Sequence, residues 1–176
     1  HYPDIKLMYW AGGNPFHHHQ DINRLLQGWK NLDTIITNEW CWNALAKYSD
    51  IVLPCTIPLE REDIAMTPRD PFLISMDKVL TPYKDSLDDY EIFSRVAEKM
   101  GIKSEFTDNK SSTEWQTWWY DDTRQAASSS GIEMPSYEVF KSKGWFKVKP
   151  PSKPVIMMEK FRNDPENYPL KTPSGK

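Results

Sequence analysis

The sequence predicts an α/β fold with a mainly parallel sheet, on three observations. Apolar or β-branched runs alternate with helix-periodic stretches, the connections between them are short, and the first run empties into a glycine pair. Ile5 to Trp10 reads as the first strand, interrupted only by Lys6. The loop Ala11-Gly12-Gly13-Asn14-Pro15-Phe16 follows directly. A helix is expected from about His18 to Lys30, because Ile22, Leu25, Leu26 and Trp29 recur on one helical face. Thr34 to Thr37 is β-branched throughout and reads as a buried second strand. A short helix around Trp42 to Tyr48 leads to a third strand, Asp50 to Pro54, stopped by a residue that cannot donate to a ladder.

Phe72 to Met76 is a further strand by composition. Asp88 to Met100 reads as a helix, with Asp88 and Glu91 spaced as a capping box and Gly101 as its stop. Ser111 and Glu114 form a second such box. The helix behind it carries Trp115, Trp118 and Trp119 on one side, suited to packing against a sheet or a neighbouring domain, or to stacking on a cofactor. Ser136 to Lys143 is a short last helix. Half of the 14 prolines lie beyond residue 134. No regular structure is expected from Gly144 on, and Lys149 to Pro154 should be extended. Residues 1–130 are therefore expected to form the main domain, and 131–176 a helix with an irregular, Pro-rich extension.

A net charge of −3 argues against a nucleic-acid partner, which a basic stripe would announce. No apolar run approaches the roughly 20 residues of a membrane span. The two cysteines, Cys41 and Cys55, form no CxxC pair and read as ordinary thiols. A polar chain with 8 Trp and 8 Tyr suggests broad contact with other protein surface.

Four constellations bear on chemistry. Gly12-Gly13-Asn14, between a strand and a helix, permits unusual φ angles and close approach of a pyrophosphate to backbone N–H groups; a plain tight turn explains it equally well. Glu39 stands where nucleotide-binding folds place the acid that accepts from ribose hydroxyls, although acids at strand ends are common. His17-His18-His19 cannot converge on one metal, since successive side chains diverge, so they read as donors beside a ligand. Arg61, in the charged run Leu59 to Asp63, can clamp a phosphate or purine or simply face solvent. Asp89 can accept from the N1–H and N2–H₂ of a guanine, or merely complement a helix dipole. No nucleophile or general base is arranged for catalysis, and no metal-ligand spacing is present.

The run from Tyr9 to Asp21 (YWAGGNPFHHHQD), followed by Asn23-Arg24, resembles the bis-molybdopterin guanine dinucleotide oxidoreductases. The branch is that of trimethylamine-N-oxide, dimethyl sulfoxide and biotin sulfoxide reductases. Ala46 to Pro54 with Leu59-Glu60-Arg61, Asp89 to Phe93, and Pro169 to Lys176 resemble further blocks of that family in the same order. The resemblance implies a Rossmann-like three-layer domain holding one of two pterin dinucleotides. On it, Gly12, Gly13, Asn14, His18 and Gln20 would meet the pterin or pyrophosphate, Asn38 and Glu39 the ribose, and Arg61 and Asp89 the guanine. The cofactor implied is bis(molybdopterin guanine dinucleotide) molybdenum, which takes the oxygen atom from an N-oxide or S-oxide. The family's metal-ligating serine lies upstream of the matching region and its last domain downstream. The chain is thus expected to be an internal segment, inactive by itself, whose partners are the rest of the same polypeptide. For the parent enzyme the resemblance allows a c-type cytochrome as electron donor and favours a periplasmic over a cytoplasmic location. Two other readings of the same residues are a nicotinamide-dinucleotide dehydrogenase domain and a non-catalytic interaction module with a degenerate nucleotide cleft.

Overall fold

The computed structural model describes residues 3–68, 70–149, 152–154 and 156–176. Strands β1 (Leu7–Ala11), β2 (Thr34–Glu39) and β3 (Ile51–Pro54) form a parallel sheet in the order β1-β2-β3. Each successive strand is laid beside the last, so both crossovers fall on one face. There Trp29 of α2 (Ile22–Trp29) and Leu45 of α3 (Ala44–Lys47) enclose Ile35, with Trp10, Phe16, Leu25 and Leu32 around them. The opposite face receives α4 (Asp89–Lys99), whose Phe93 ring lies 5.1 Å from that of Tyr9. Sheet residues therefore alternate between two apolar layers, as a strand period of two requires.

The expected α/β class holds, and several boundaries change. β1 starts at Leu7 rather than Ile5. β2 runs on to Glu39, so Asn38 and Glu39 are its own last residues rather than a loop beyond it. The helix expected from His18 to Lys30 is two helices. Pro15 opens α1 (Pro15–His18) with Asn14 as its cap; His19 is extended, and Asp21 caps α2 by accepting from the Arg24 N–H at 2.9 Å. Proline pre-sets the first turn, and a second cap, the Asp21 carboxylate, restarts the helix.

Phe72–Met76 is a strand, β5, but it does not join the parallel sheet. It lies between β4 (Asp63–Ala65) and β6 (Trp145–Lys147) in a separate antiparallel sheet. The expectation that nothing regular follows Gly144 is corrected by β6 and by the short α8 (Glu159–Asn163). Gly144, at φ 83°, ends α7 (Tyr137–Lys143) and turns the chain directly onto β5. Of the segment expected to be extended, Pro150 and Pro151 lie outside the described residues, as does His1.

The second sheet has its own core. Phe140 and Tyr137 of α7, Tyr120 of α6 (Ser112–Ser129) and Leu73 of β5 meet, with Ile64, Met134, Phe146 and Val148 against them. Ser111 and Glu114 cap α6 reciprocally, as their spacing predicts. At α4 only half of the expected box forms: Asp88 accepts from the Glu91 N–H, whereas the Glu91 carboxylate takes the Arg95 guanidinium at 2.7 Å. A short α5 (Lys103–Thr107) joins α4 to α6. No helix among the described residues is long and apolar enough to cross a membrane.

Candidate functional site

The C-terminal ends of β1, β2 and β3 share one edge of the parallel sheet, the edge at which open α/β sheets bind ligands. β1 delivers Gly12 and Gly13 there, at φ 72° and 70°, a conformation that costs other L-residues about 1 kcal/mol or more. A Cβ built on either glycine would meet nothing within 4 Å, so backbone geometry alone demands glycine and the space outside stays open. Asn14 is 9% exposed. Its Oδ1 accepts from the Phe16 N–H at 3.0 Å, while its Nδ2 is buried without an acceptor among the described residues. A buried amide donor left unpaired costs about 1–3 kcal/mol unless a ligand takes it up.

At the end of β2, Asn38 is 5% exposed and doubly engaged. The Tyr9 hydroxyl donates to its Oδ1 at 2.8 Å, and its Nδ2 donates to Asp89 Oδ1 at 2.7 Å. One side chain thereby ties β1, β2 and the first turn of α4 together. Burial and the charge of Asp89 hold the Tyr9 phenol above its ordinary pKa, so it stays a donor. Neighbouring Glu39 accepts from the Trp40 N–H at 3.0 Å and from Asn43 Nδ2 at 2.7 Å, which aims its carboxylate. Each carboxylate oxygen retains a lone pair for a further donor.

Arg61 and Asp89 line one cleft of about 560 Å³, with Glu62, Asp63, Asp88 and Tyr90 on their side. Arg61 Nη1 donates to the Thr56 carbonyl at 3.0 Å and its Nε approaches Asp63 at 3.4 Å. The far wall is α6, through Ser112, Trp115, Gln116 and Trp119, with Phe106 of α5 between. The cleft therefore joins the first turn of α4, which packs on the parallel sheet, to Asp63 of β4 and the α6 face on the side of the second sheet. His17, His18, His19 and Gln20 are exposed. Gln20 lines a different groove, with Trp10, Arg24 and Trp29, so the structure does not bring it or His18 together with the Arg61–Asp89 cleft. Among the described residues no three His, Cys, Asp or Glu side chains converge on a common point suited to a metal.

Tyr9, Phe106 and Gln116 are the site residues that their sequence pattern does not single out, whereas Trp115 and Trp119 belong to the helix side that the sequence offers for packing or for stacking on a cofactor. A lone hydroxyl in an apolar strand is the only sign of Tyr9. Cys55, just past β3, is half-buried and free. Burial first, then the charges of Asp89 and Glu39, push its thiol up from 9.0 to about 11. The thiolate fraction at pH 8 should thus fall to about a hundredth of that of an ordinary cysteine thiol, rising about tenfold per pH unit toward 11. Iodoacetamide labelling followed by mass spectrometry should find Cys55 correspondingly slow beside a small-molecule thiol; equal rates would remove the burial and the two carboxylates as causes.

Comparison with known proteins completes the description. The family model for molybdopterin oxidoreductase matches residues 1–99. A dimethyl sulfoxide/trimethylamine N-oxide reductase of Cereibacter sphaeroides is 40% identical over 182 residues, taking in 99% of this chain and 22% of the relative. A biotin sulfoxide reductase of the same organism is 38% identical over 175 residues, with 99% of this chain and 23% of the relative covered. Among solved structures, acetylene hydratase from Pelobacter acetylenicus superposes with a TM-score of 0.60 at 22% identity, over 97% of this chain and 21% of that one. At that identity the likeness concerns the fold. The chain spans roughly a fifth of the length of the curated relatives it matches.

Proposed function

The chain belongs to the molybdopterin oxidoreductase family, and from that premise we propose that it holds a guanine dinucleotide arm of the molybdopterin cofactor in an enzyme reducing N-oxides or S-oxides. One observation carries the reading: Arg61 and Asp89 line a single cleft, and Asp89 is bonded to Asn38 at the end of β2, beside the point where β1 ends in its glycine pair. The residues fit such a group. Gly12 and Gly13 open their backbone to a pyrophosphate, and Asn14 Nδ2 is a buried donor in want of an acceptor. His18 and Gln20 flank that end as exposed donors for the pterin. Asn38 fixes the geometry at the ribose, where Glu39 accepts from the hydroxyls.

At the far end Asp89 Oδ1, already accepting from Asn38, and Oδ2 take the N1–H and N2–H₂ of the base, while Arg61 meets its O6 and N7. When bound, the cofactor supplies the metal and the electrons that an oxide reduction needs. This chain's share is to grip and orient the arm and to keep its polar groups paired. The sheet with helices on both faces is then a Rossmann-like three-layer domain within residues 1–130. Residues 131–176 lead onward to other parts of the polypeptide, their beginning pinned by α7 and β6.

Calorimetric titration tests this. GDP is expected to bind more tightly than ADP, and Asp89→Asn should cut the preference about 10- to 100-fold, the worth of hydrogen bonds to a charged acceptor. Binding of NADH with no guanine preference would instead favour a nicotinamide dehydrogenase domain.

A further inference from the structure

The cleft wall contributed by α6 has no role in the assignments above. Ser112, Trp115, Gln116 and Trp119 stand at i, i+3, i+4 and i+7, a single helix face, and all four line the cleft that Arg61 and Asp89 also line. Trp119 is 59% exposed there. Its ring is held nonetheless. The edge-to-face partner Trp118 lies 5.3 Å away at 83°, and Trp118 in turn meets Trp115 at 5.6 Å and 85°. Trp115 is anchored by donation from its Nε1 to the Thr107 carbonyl at 3.0 Å and by the Lys110 ammonium 4.7 Å from its ring centroid. Gln116 is fixed by donation to the Glu62 carbonyl at 2.9 Å. Three linked indoles thus present one open ring, already oriented, to a cleft whose other wall carries hydrogen-bonding groups.

The charges in the cleft restrict what can lie on that ring. Glu62, Asp63, Asp88 and Asp89 outnumber Arg61 on the lining, even with the Lys141 ammonium 3.0 Å from Glu62 counted. Their field repels a phosphate and attracts a neutral, planar group with N–H donors on its edge. A platform opposite paired donors and acceptors is what a purine requires, since hydrogen bonds fix its edge and stacking covers its face.

We propose that Trp119 is the stacking platform for the guanine base, with Trp115 and Trp118 holding its ring in place; this rests on the reading of the cleft as the guanine end of the cofactor. The stack shields the Asp89 hydrogen bonds from water, which strengthens them. Trp119 is then a binding residue that acts on the face of the base, where Asp89 acts on its edge.

Titrating the chain with GDP distinguishes the two contributions. Trp119→Ala should weaken binding about tenfold, and Trp119→Phe should restore most of it, because any flat ring stacks. In the unsubstituted chain, photo-crosslinking with 8-azido-GDP should label the α6 face around residues 112–119. If Trp119→Ala binds GDP as the parent chain does while Asp89→Asn loses it, the stacking role falls and the cofactor reading stands. Labelling confined to residues outside α6 also overturns the stacking role, whatever the variant does to folding. If the unsubstituted chain shows no GDP binding, both fall together.

Discussion

Replacing Phe140 by Ala is expected to remove about 3–5 kcal/mol of stability, the range for deleting a large ring from a filled core. Phe140 is 0% exposed and stacks on Tyr120 with centroids 4.7 Å apart at 20°. It also meets Tyr137, and with Leu73 it closes the core of the second sheet. No neighbour can follow the lost ring inward: Tyr120 is committed by donating its hydroxyl to the Pro135 carbonyl, and Leu73 by the β5 ladder. Urea unfolding followed by circular dichroism should show a lower midpoint with little change in slope. A loss under 1 kcal/mol would mean that α7 is not part of the cooperative core.

Asn38→Asp is expected to be nearly as damaging at neutral pH, for a different reason. The change preserves shape and replaces one donor by an oxygen. Nδ2 now gives its proton to Asp89 Oδ1 at 2.7 Å, so the variant would set two carboxylates at that distance. Both cannot be ionised cheaply, and the shared site would hold a proton to higher pH than either acid alone. An acid whose folded pKa is raised withdraws stability above its unfolded pKa and returns it as pH falls. The loss should be about 2 kcal/mol at pH 7, moderated because Asp89 is partly solvated, and should shrink toward pH 4. Denaturant titrations at both pH values check the sign. A loss independent of pH would point to the lost Nδ2 donor itself rather than to the acid pair, since the Tyr9 hydroxyl keeps an acceptor in the variant.

The parallel half of the fold was legible in the sequence because its signals are local. Thr34 to Thr37 and Ile51 to Leu53 are β-branched or apolar, and Leu25, Leu26 and Trp29 keep a helical period. The antiparallel half was not legible. β4 and β6 are three residues each, too short to display alternation, and β6 reaches β5 only after all of α4 to α7 has intervened. The break between α1 and α2 was hidden for the opposite reason: Asp21 occupies a polar position that a continuous helix would tolerate equally well. In the site, the positive φ of Gly12 and Gly13 follows from residue type. The Asn38–Asp89 bond joins residues 51 apart in sequence, and no spacing rule reaches so far. The same distance in sequence hid what the α6 tryptophans face, since Trp115 and Trp119 share a cleft with Arg61 only through tertiary packing.

That the cleft is lined both by α4, which packs on the parallel sheet, and by β4 and α6 of the other half has a consequence for how the chain assembles. Each core closes over its own apolar residues, and α5 links them: Tyr90 and Phe93 of α4 pack on Phe106, and Trp115 of α6 donates to the Thr107 carbonyl. A nucleotide lodged between the walls would act as a rivet. It stabilises only the state in which both halves are folded and docked, by an amount that grows with the logarithm of its concentration over Kd. Filled, the two halves are held to melt together. Loading of the cofactor would then be the step that turns two neighbouring modules into a single cooperative unit, and resistance to proteolysis would rise at that moment.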